Sequence, residues 1–289
     1  MSSQFLGVLS GLAYLALCLL IAVSGARRKC PRRDPVQTPS IGQPDERSDG
    51  PPPVAPSARF TFLPLLSCLI LLSSFLFMPC GTLPSLAPAG GGALAVIGGL
   101  AAASALSGGW ARPRRRWGAL LCLGASLAAI ARYAEQRGVP GELYALDAYV
   151  AMPILGAAEG MGKPGVCVLA AASLFALWKA LPAGRFSAPP GKSWERDAAF
   201  FSALAAELWA LAAIGFWVCL FFPFSFAWDH ASEFSVLGAA ALNALVFWGK
   251  TLGLKWLMEK PEDRGGTFHA AILFALLGFG AWLLLGAAA

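Results

Sequence analysis

Glu207 is the acidic residue with the strongest case for a chemical role, and it lies inside a long apolar run. No other charged side chain occurs between residues 198 and 222. A carboxylate at the centre of such a helix costs about 2.5–3.5 kcal/mol in lipid, so it usually faces a bundle interior or a wet cavity. Two interpretations follow. Glu207 is a protonatable carboxylate on an ion path or facing a quinone-like cavity, or it hydrogen-bonds a neighbouring helix and only fixes packing.

Two further acids are candidates for a second proton-accessible group. Asp147 and Glu159 lie in the segment 134–163, which has charged residues around a modest apolar middle. This segment is a re-entrant or interfacial helix, a short span containing one acid, or a solvated external loop. We predict that 143–160 does not span. A span there would reverse the orientation of every later segment and remove the asymmetry of basic residues between the two sides of the membrane.

Basic residues cluster in short polar stretches between the apolar runs. They are candidates for contacts with partner proteins or with anionic lipid headgroups, and simple orientation signals are the alternative. The prolines around Arg185 favour a loop of fixed turns. The candidate contact residues are Arg114, Arg115, Arg116, Arg185 and Lys250.

The composition indicates a membrane protein. Of the 289 residues, 57% are hydrophobic and 13% are charged, whereas soluble domains carry about 25% charged residues. We expect one polytopic bundle rather than two domains. The net charge of +6 is explained by basic loops at one membrane face, so it does not indicate nucleic-acid binding.

Eight apolar runs predict an all-α membrane bundle of about eight transmembrane helices. The segment 26–59 is rich in Pro, Arg, Asp and Ser and is expected to be a flexible cytoplasmic loop or a strap that orders on a partner. The predicted spans are 5–25, 60–80, 91–108, 117–133, 164–181, 198–222, 234–253 and 268–286.

The distribution of basic residues predicts the orientation. With the N-terminus outside, only Arg132, Arg137 and Lys163 of the 22 basic residues fall on the outer side. This asymmetry follows the positive-inside rule. It predicts a multi-pass protein of the cell's inner, or plasma, membrane.

Several classes of site are absent from the sequence. It has no glycine-rich phosphate loop ending in Lys-Ser/Thr and no H-E-x-x-H motif. None of the seven cysteines forms a C-x-x-C pair, and there are two histidines. We therefore expect no metal or other cofactor in this chain and no hydrolytic or nucleotide-dependent site.

Four stretches resemble the subunit-1 family of respiratory complex I, which also supplies the membrane subunit of energy-converting and formate-hydrogenlyase-type nickel–iron hydrogenases. In this resemblance Glu207 falls on the family's membrane glutamate, Arg185 on a loop arginine and Lys250 on a second arginine. The stretches are GGWARPRRRWGALLCLGASLAAIARYAE (Gly108–Glu135), KALPAGRFSAPP (Lys179–Pro190), FFSALAAELWAL (Phe200–Leu211) and FWGKTLGLKWLM (Phe247–Met258).

The resemblance implies a non-redox membrane subunit of a multi-subunit oxidoreductase. It implies eight tilted helices with an external N-terminus, and translocation of protons or sodium ions. The implied partners are a hydrogenase-like large subunit, an iron–sulfur small subunit and antiporter-like membrane subunits, which would hold the iron–sulfur clusters and any nickel–iron centre. Pro182 and Pro189 stand where the family carries loop acids. This departure argues against a quinone site and favours a hydrogenase-type member.

Two other functions are compatible with the same pattern. A stand-alone transporter of a small solute would also be an apolar bundle with few intramembrane charges, although no internal repeat supports it. A structural membrane anchor without ion pumping is the second alternative, and the missing loop acids favour it.

Overall fold

The structure is a computed structural model in which every regular element described is an α-helix. This confirms the predicted all-α class. The described residues are 3–29, 59–78, 92–106, 113–136, 144, 146–151, 153–154, 162–181, 193–223 and 233–259. The helices in these ranges are α1 (Ser3–Lys29), α2 (Arg59–Leu76), α3 (Gly92–Leu106), α4 (Pro113–Gln136), α5 (Leu146–Ala151), α6 (Gly162–Ala180), α7 (Ser193–Phe221) and α8 (Glu233–Met258).

The long helices overlap the first seven predicted apolar runs. The eighth run, 268–286, and almost all of the predicted loop 26–59 lie outside the described residues. The structure extends α1 to Lys29 and starts α7 at Ser193, earlier than the predicted residue 198. The extension of α1 agrees with the helix dipole, since basic residues end this helix.

Helix α7 is the centre of the described bundle. It packs against α1, α2, α3, α5, α6 and α8. Every residue from Ala203 to Phe221 is buried. A helix that is apolar on all sides is covered by other protein segments or by lipid. In the described bundle, neighbouring helices cover the apolar faces of α7.

Small residues allow the helices to approach closely at two crossings. A Cβ atom added at Gly215 of α7 would lie 2.9 Å from Phe247 Cζ on α8. A Cβ atom added at Gly99 of α3 would overlap Ser74 Oγ on α2. Close backbone approach at small residues is the usual packing of helices in lipid.

Two helical stretches in the described part of the chain are long and apolar enough to cross a membrane, judged by length and composition. They are Arg115–Glu135 and Asp197–Phe221. Three shorter apolar stretches are Phe62–Leu76, Gly92–Leu106 and Pro164–Ala180. A total of eight spans and an external N-terminus stay predictions.

The short helix α5 lies in the segment for which three arrangements were open. It has six residues, too few to cross a bilayer. It packs against α7 and buries Leu146 and Tyr149. Just before it, the carbonyl oxygen of Tyr144 accepts a hydrogen bond of 3.0 Å from Ala93 N, one of the first amides of α3, which have no partner within their own helix. The described part of this segment is therefore packed on the bundle.

Candidate functional site

The candidate site lies where α1 and α8 end beside the middle of α7. Glu207 is 14 residues after the first residue of α7, which is about four helical turns. The last residue of α1, Lys29, and a residue of the last turn of α8, Lys255, reach the Glu207 carboxylate. Three helices therefore supply charged groups to one point in an otherwise apolar interior.

Four side chains form a continuous set of ion pairs, which we call the ion cluster: Lys29, Glu207, Lys255 and Glu259. Lys29 Nζ is paired with Glu207 Oε1, and Lys255 Nζ lies 2.8 Å from Glu207 Oε2. The same two ammonium groups lie 3.3 Å and 3.0 Å from Glu259 Oε1. Each lysine therefore contacts both acids.

The exposure of the ion cluster changes from one end to the other. The Glu207 side chain is 1% exposed, the two lysines are 18% and 12% exposed, and Glu259 is 38% exposed. The cluster connects the interior of the bundle to its surface at the ends of α1 and α8. With two positive and two negative groups, it is electrically balanced, as a buried charge requires.

The pKa of Glu259 is lowered by the cluster. Partial burial by itself would raise this pKa, but the adjacent Lys255 and Lys29 ammonium groups outweigh that effect. Glu259 follows the last residue of α8. The surface end of the cluster is thus a carboxylate that holds its negative charge to below its ordinary pH range.

Gly25 provides the space for the buried carboxylate. A Cβ atom added there would lie 2.7 Å from Glu207 Oε2 and 3.0 Å from its Cδ. Gly25 is one turn before Lys29 on the same face of α1, because residues four apart in a helix are neighbours. One face of α1 therefore both admits the Glu207 side chain and supplies a counter-charge.

The structure adds detail to the environment of Glu207. The acid is buried inside the bundle, one of the two environments that the sequence predicted, and two lysines lie beside its carboxylate. Sequence reasoning missed Lys29, Lys255 and Glu259, and treated both lysines only as orientation signals. The i, i+4 spacing of Lys255 and Glu259 is a pattern that could have drawn attention to this helix end.

Arg116 is a second buried cation beside α7. It is 2% exposed, and its guanidinium carbon lies 5.4 Å from the centroid of the Trp209 ring. The Trp209 Nε1 group donates a hydrogen bond of 3.3 Å to the Leu100 carbonyl oxygen. Trp209 is two residues, or about 200°, from Glu207 around the helix. Arg116 therefore packs on a different face of α7 from the ion cluster.

The other predicted site residues do not join this cluster within the described residues. Lys250 Nζ donates a hydrogen bond of 2.9 Å to the Phe222 carbonyl oxygen, which is a favourable cation contact at the end of α7. Arg115 is partly buried in the first turn of α4. Of Arg114 and Asp147 only the backbone is described, in α4 and α5, and Glu159 and Arg185 lie outside the described residues.

Metal-ligating side chains do not gather at one point in the described part of the chain. No group of three His, Cys, Asp or Glu residues there has an arrangement that could hold a metal ion. The five cysteines in those ranges have free thiols, of which only Cys167 is exposed. The chemistry available at the described site is that of carboxylates and ammonium groups: charge compensation, proton transfer and cation exchange.

No protein-family model matches the sequence, and no curated protein matches it. The resemblance to the subunit-1 family of complex I therefore stays a prediction.

Proposed function

We propose that the chain is a multi-pass subunit of the plasma membrane in a multi-subunit oxidoreductase of the complex I or nickel–iron hydrogenase kind. In this proposal its ion cluster couples redox work in partner subunits to movement of a proton or sodium ion. The chain itself is non-redox. The iron–sulfur clusters and any nickel–iron centre belong to the partners.

The observation that carries the membrane part of the proposal is the apolar exterior of the bundle. Soluble monomers rarely expose extended apolar surfaces, whereas lipid requires them. Large apolar side chains that are more than half exposed occur on α1, α2, α3, α4 and α8. They are Leu12, Leu20, Phe62, Leu69, Leu94, Leu121, Leu245, Trp256 and Leu257.

The ion cluster supports the coupling part of the proposal. Ionisable groups inside a membrane bundle are costly and usually mark ion or proton paths. Glu207 is held by two cations from different helices, so a shift of α1 or α8 would change the charge balance at the buried acid. Partner subunits that bind near the ends of these helices could impose such a shift.

The predicted orientation supports the same arrangement. With the N-terminus outside, the ends of α1 and α8 face the cytoplasm, together with the loops after α3 and α6. A peripheral arm docked on this face would lie next to Glu259, the exposed member of the cluster. The hydrogenase-like large subunit, the iron–sulfur small subunit and antiporter-like membrane subunits are the expected partners.

The first experiment is a mild-detergent purification of the tagged chain, with mass spectrometry and iron and nickel analysis of the eluate. We expect a large hydrogenase-like subunit, an iron–sulfur subunit and antiporter-like subunits to co-purify. Recovery of the chain alone and metal-free from its native membrane would contradict the proposal.

A structural anchor without ion movement is the second candidate. The observation that favours it is the complete charge balance of the ion cluster, which could simply fasten α1 and α8 to α7. Glu207→Gln separates the two functions in the assembled complex. Ion movement per electron falls if the cluster is a coupling site and is unchanged if the chain only anchors its partners.

A further inference from the structure

The ion cluster has more members than the charge of Glu207 requires. A single lysine would balance that charge, yet two lysines contact Glu207 and both also contact a second acid, Glu259. That acid is the most exposed member of the set, and Glu207 is the most buried. Each ammonium group thus bridges a carboxylate that water can reach and one that it cannot.

We propose that Glu259 is the solvent-side proton acceptor of a path that leads to Glu207, with Lys29 and Lys255 as two parallel relay groups. The path rests on the proposed function, in which the proton delivered to Glu207 is used. Two residues of the path, Lys29 and Glu259, lie outside the four stretches that resemble the complex I family. Their part in the path therefore does not depend on that resemblance.

The proton transfers balance without any further reactant. A proton from water binds the Glu259 carboxylate. One lysine ammonium group gives its proton to the Glu207 carboxylate and becomes a neutral amine. The amine then takes the proton from Glu259 and is again an ammonium group. The net result is one proton moved from water to Glu207, with Glu259 again ionised.

The distances place one lysine between both acids. Lys255 Nζ lies 2.8 Å from Glu207 Oε2 and 3.0 Å from Glu259 Oε1. Neither Glu207 oxygen makes a hydrogen bond of regular geometry, so a small reorientation of the ammonium group precedes the transfer to Glu207. Burial by itself would lower the pKa of Lys255, but the neighbouring Glu207 and Glu259 carboxylates outweigh it and raise this pKa. The neutral amine is therefore a short-lived intermediate between the two transfers. The second lysine stays charged and keeps the site compensated during the transfer.

The surroundings of Glu207 leave this route without a described competitor. Within the described residues, its ion pairs come from Lys29 on α1 and Lys255 on α8. The other buried cations of the described residues are Arg116 on α4 and Lys179 on α6. Arg116 packs against Trp209, on a different face of α7, and Lys179 packs against Trp178. Gly25 has no side chain to occupy the space beside the carboxylate, so the Glu207 side chain can lie against α1 next to Lys29.

Infrared difference spectroscopy on the purified full chain in lipid nanodiscs tests the path. A rapid drop in pH is followed by the rise of the carbonyl band of the protonated Glu207 side chain, which Glu207→Gln identifies by its loss. We expect Glu259→Gln to slow this rise at least about tenfold, since a positioned acid or base contributes about 10²–10⁴-fold to proton transfer. Glu259→Asp should restore most of the rate, because it keeps a carboxylate at the surface.

Glu135→Gln is the matched control, because Glu135 is also exposed but lies near the end of α4. We expect it to leave the rate unchanged. Two results would overturn the path: an unchanged rate in Glu259→Gln, or no Glu207 band at any pH at which the protein stays folded. Both are measured on the isolated chain. A failed co-purification would therefore remove the proposed oxidoreductase partners while leaving the result on proton transfer intact.

Discussion

Two regions of the buried part of α7, one around Glu207 and one around Trp217, are stabilised by different interactions. Around Glu207, four charged side chains from three helices converge. Toward the end of the helix, Phe247 packs over Gly215. There Trp217 Nε1 donates to the Ser173 hydroxyl at 2.9 Å and to the Ala170 carbonyl at 3.1 Å. Shape and neutral hydrogen bonds thus suffice to bury the region around Trp217.

This contrast teaches that burial of α7 does not require charge. Replacing a buried ion pair by apolar side chains of similar volume is often neutral or stabilising, whereas removing one partner is strongly destabilising. The region around Trp217 shows that the bundle can supply the apolar alternative. We therefore expect replacement of the whole ion cluster by apolar side chains to preserve the stability of the bundle.

The largest loss of stability should come from the region around Trp217. Trp217→Ala removes a large side chain that is 2% exposed and leaves a cavity between α6 and α7. We expect the free energy of unfolding to fall by about 3–5 kcal/mol, measured by circular dichroism during SDS-induced unfolding. Trp256→Ala is the control, because that ring is 65% exposed. Equal losses in the two variants would contradict the packing described here.

In the region around Glu207, a single replacement should lower the free energy of unfolding, and a combined replacement should restore it. Glu207→Leu alone leaves two partly buried lysines with only Glu259, and we expect a loss of about 3 kcal/mol, the lower end for a broken buried pair. Replacement of all four cluster residues by Leu or Met should recover this loss in the same unfolding assay. If the fourfold variant is less stable than Glu207→Leu, the cluster is structural and the contrast between the two regions fails.

The close contact at Gly25 should have an intermediate effect. Gly25→Ala places a methyl group against the Glu207 carboxylate, and overpacking of this kind costs about 1–3 kcal/mol. Gly249→Ala is matched to it, since a Cβ atom there meets nothing within 4 Å, and it should stabilise α8 by about 0.4–1 kcal/mol. Comparison of the unfolding midpoints of the two variants decides whether Gly25 is needed for space.

The sequence predicted the helices better than it predicted the site. Apolar runs indicate long helices because each run must be buried or face lipid along its whole length. This property predicted α7 and the burial of Glu207. The partners of Glu207 could not be predicted in the same way. Lys29 and Lys255 are far apart in sequence, and the tertiary crossing of α1 and α8 beside α7 brings them together. Ordinary topology explains their positions equally well, and the one local signal was the i, i+4 spacing of Lys255 and Glu259.

The smallest effect concerns Glu259 and its dependence on pH. Because Lys255 and Lys29 lower the pKa of Glu259 in the folded protein, its contribution to stability is complete above its unfolded pKa of about 4.3. It is lost as the pH falls through the lower folded value. Glu259→Gln should therefore reduce the unfolding midpoint slightly at neutral pH and converge with wild type in acid, since partly exposed pairs contribute about 0–1 kcal/mol. A difference that grows in acid would mean that the lysines do not compensate Glu259, and that the two ends of the ion cluster are not electrostatically connected.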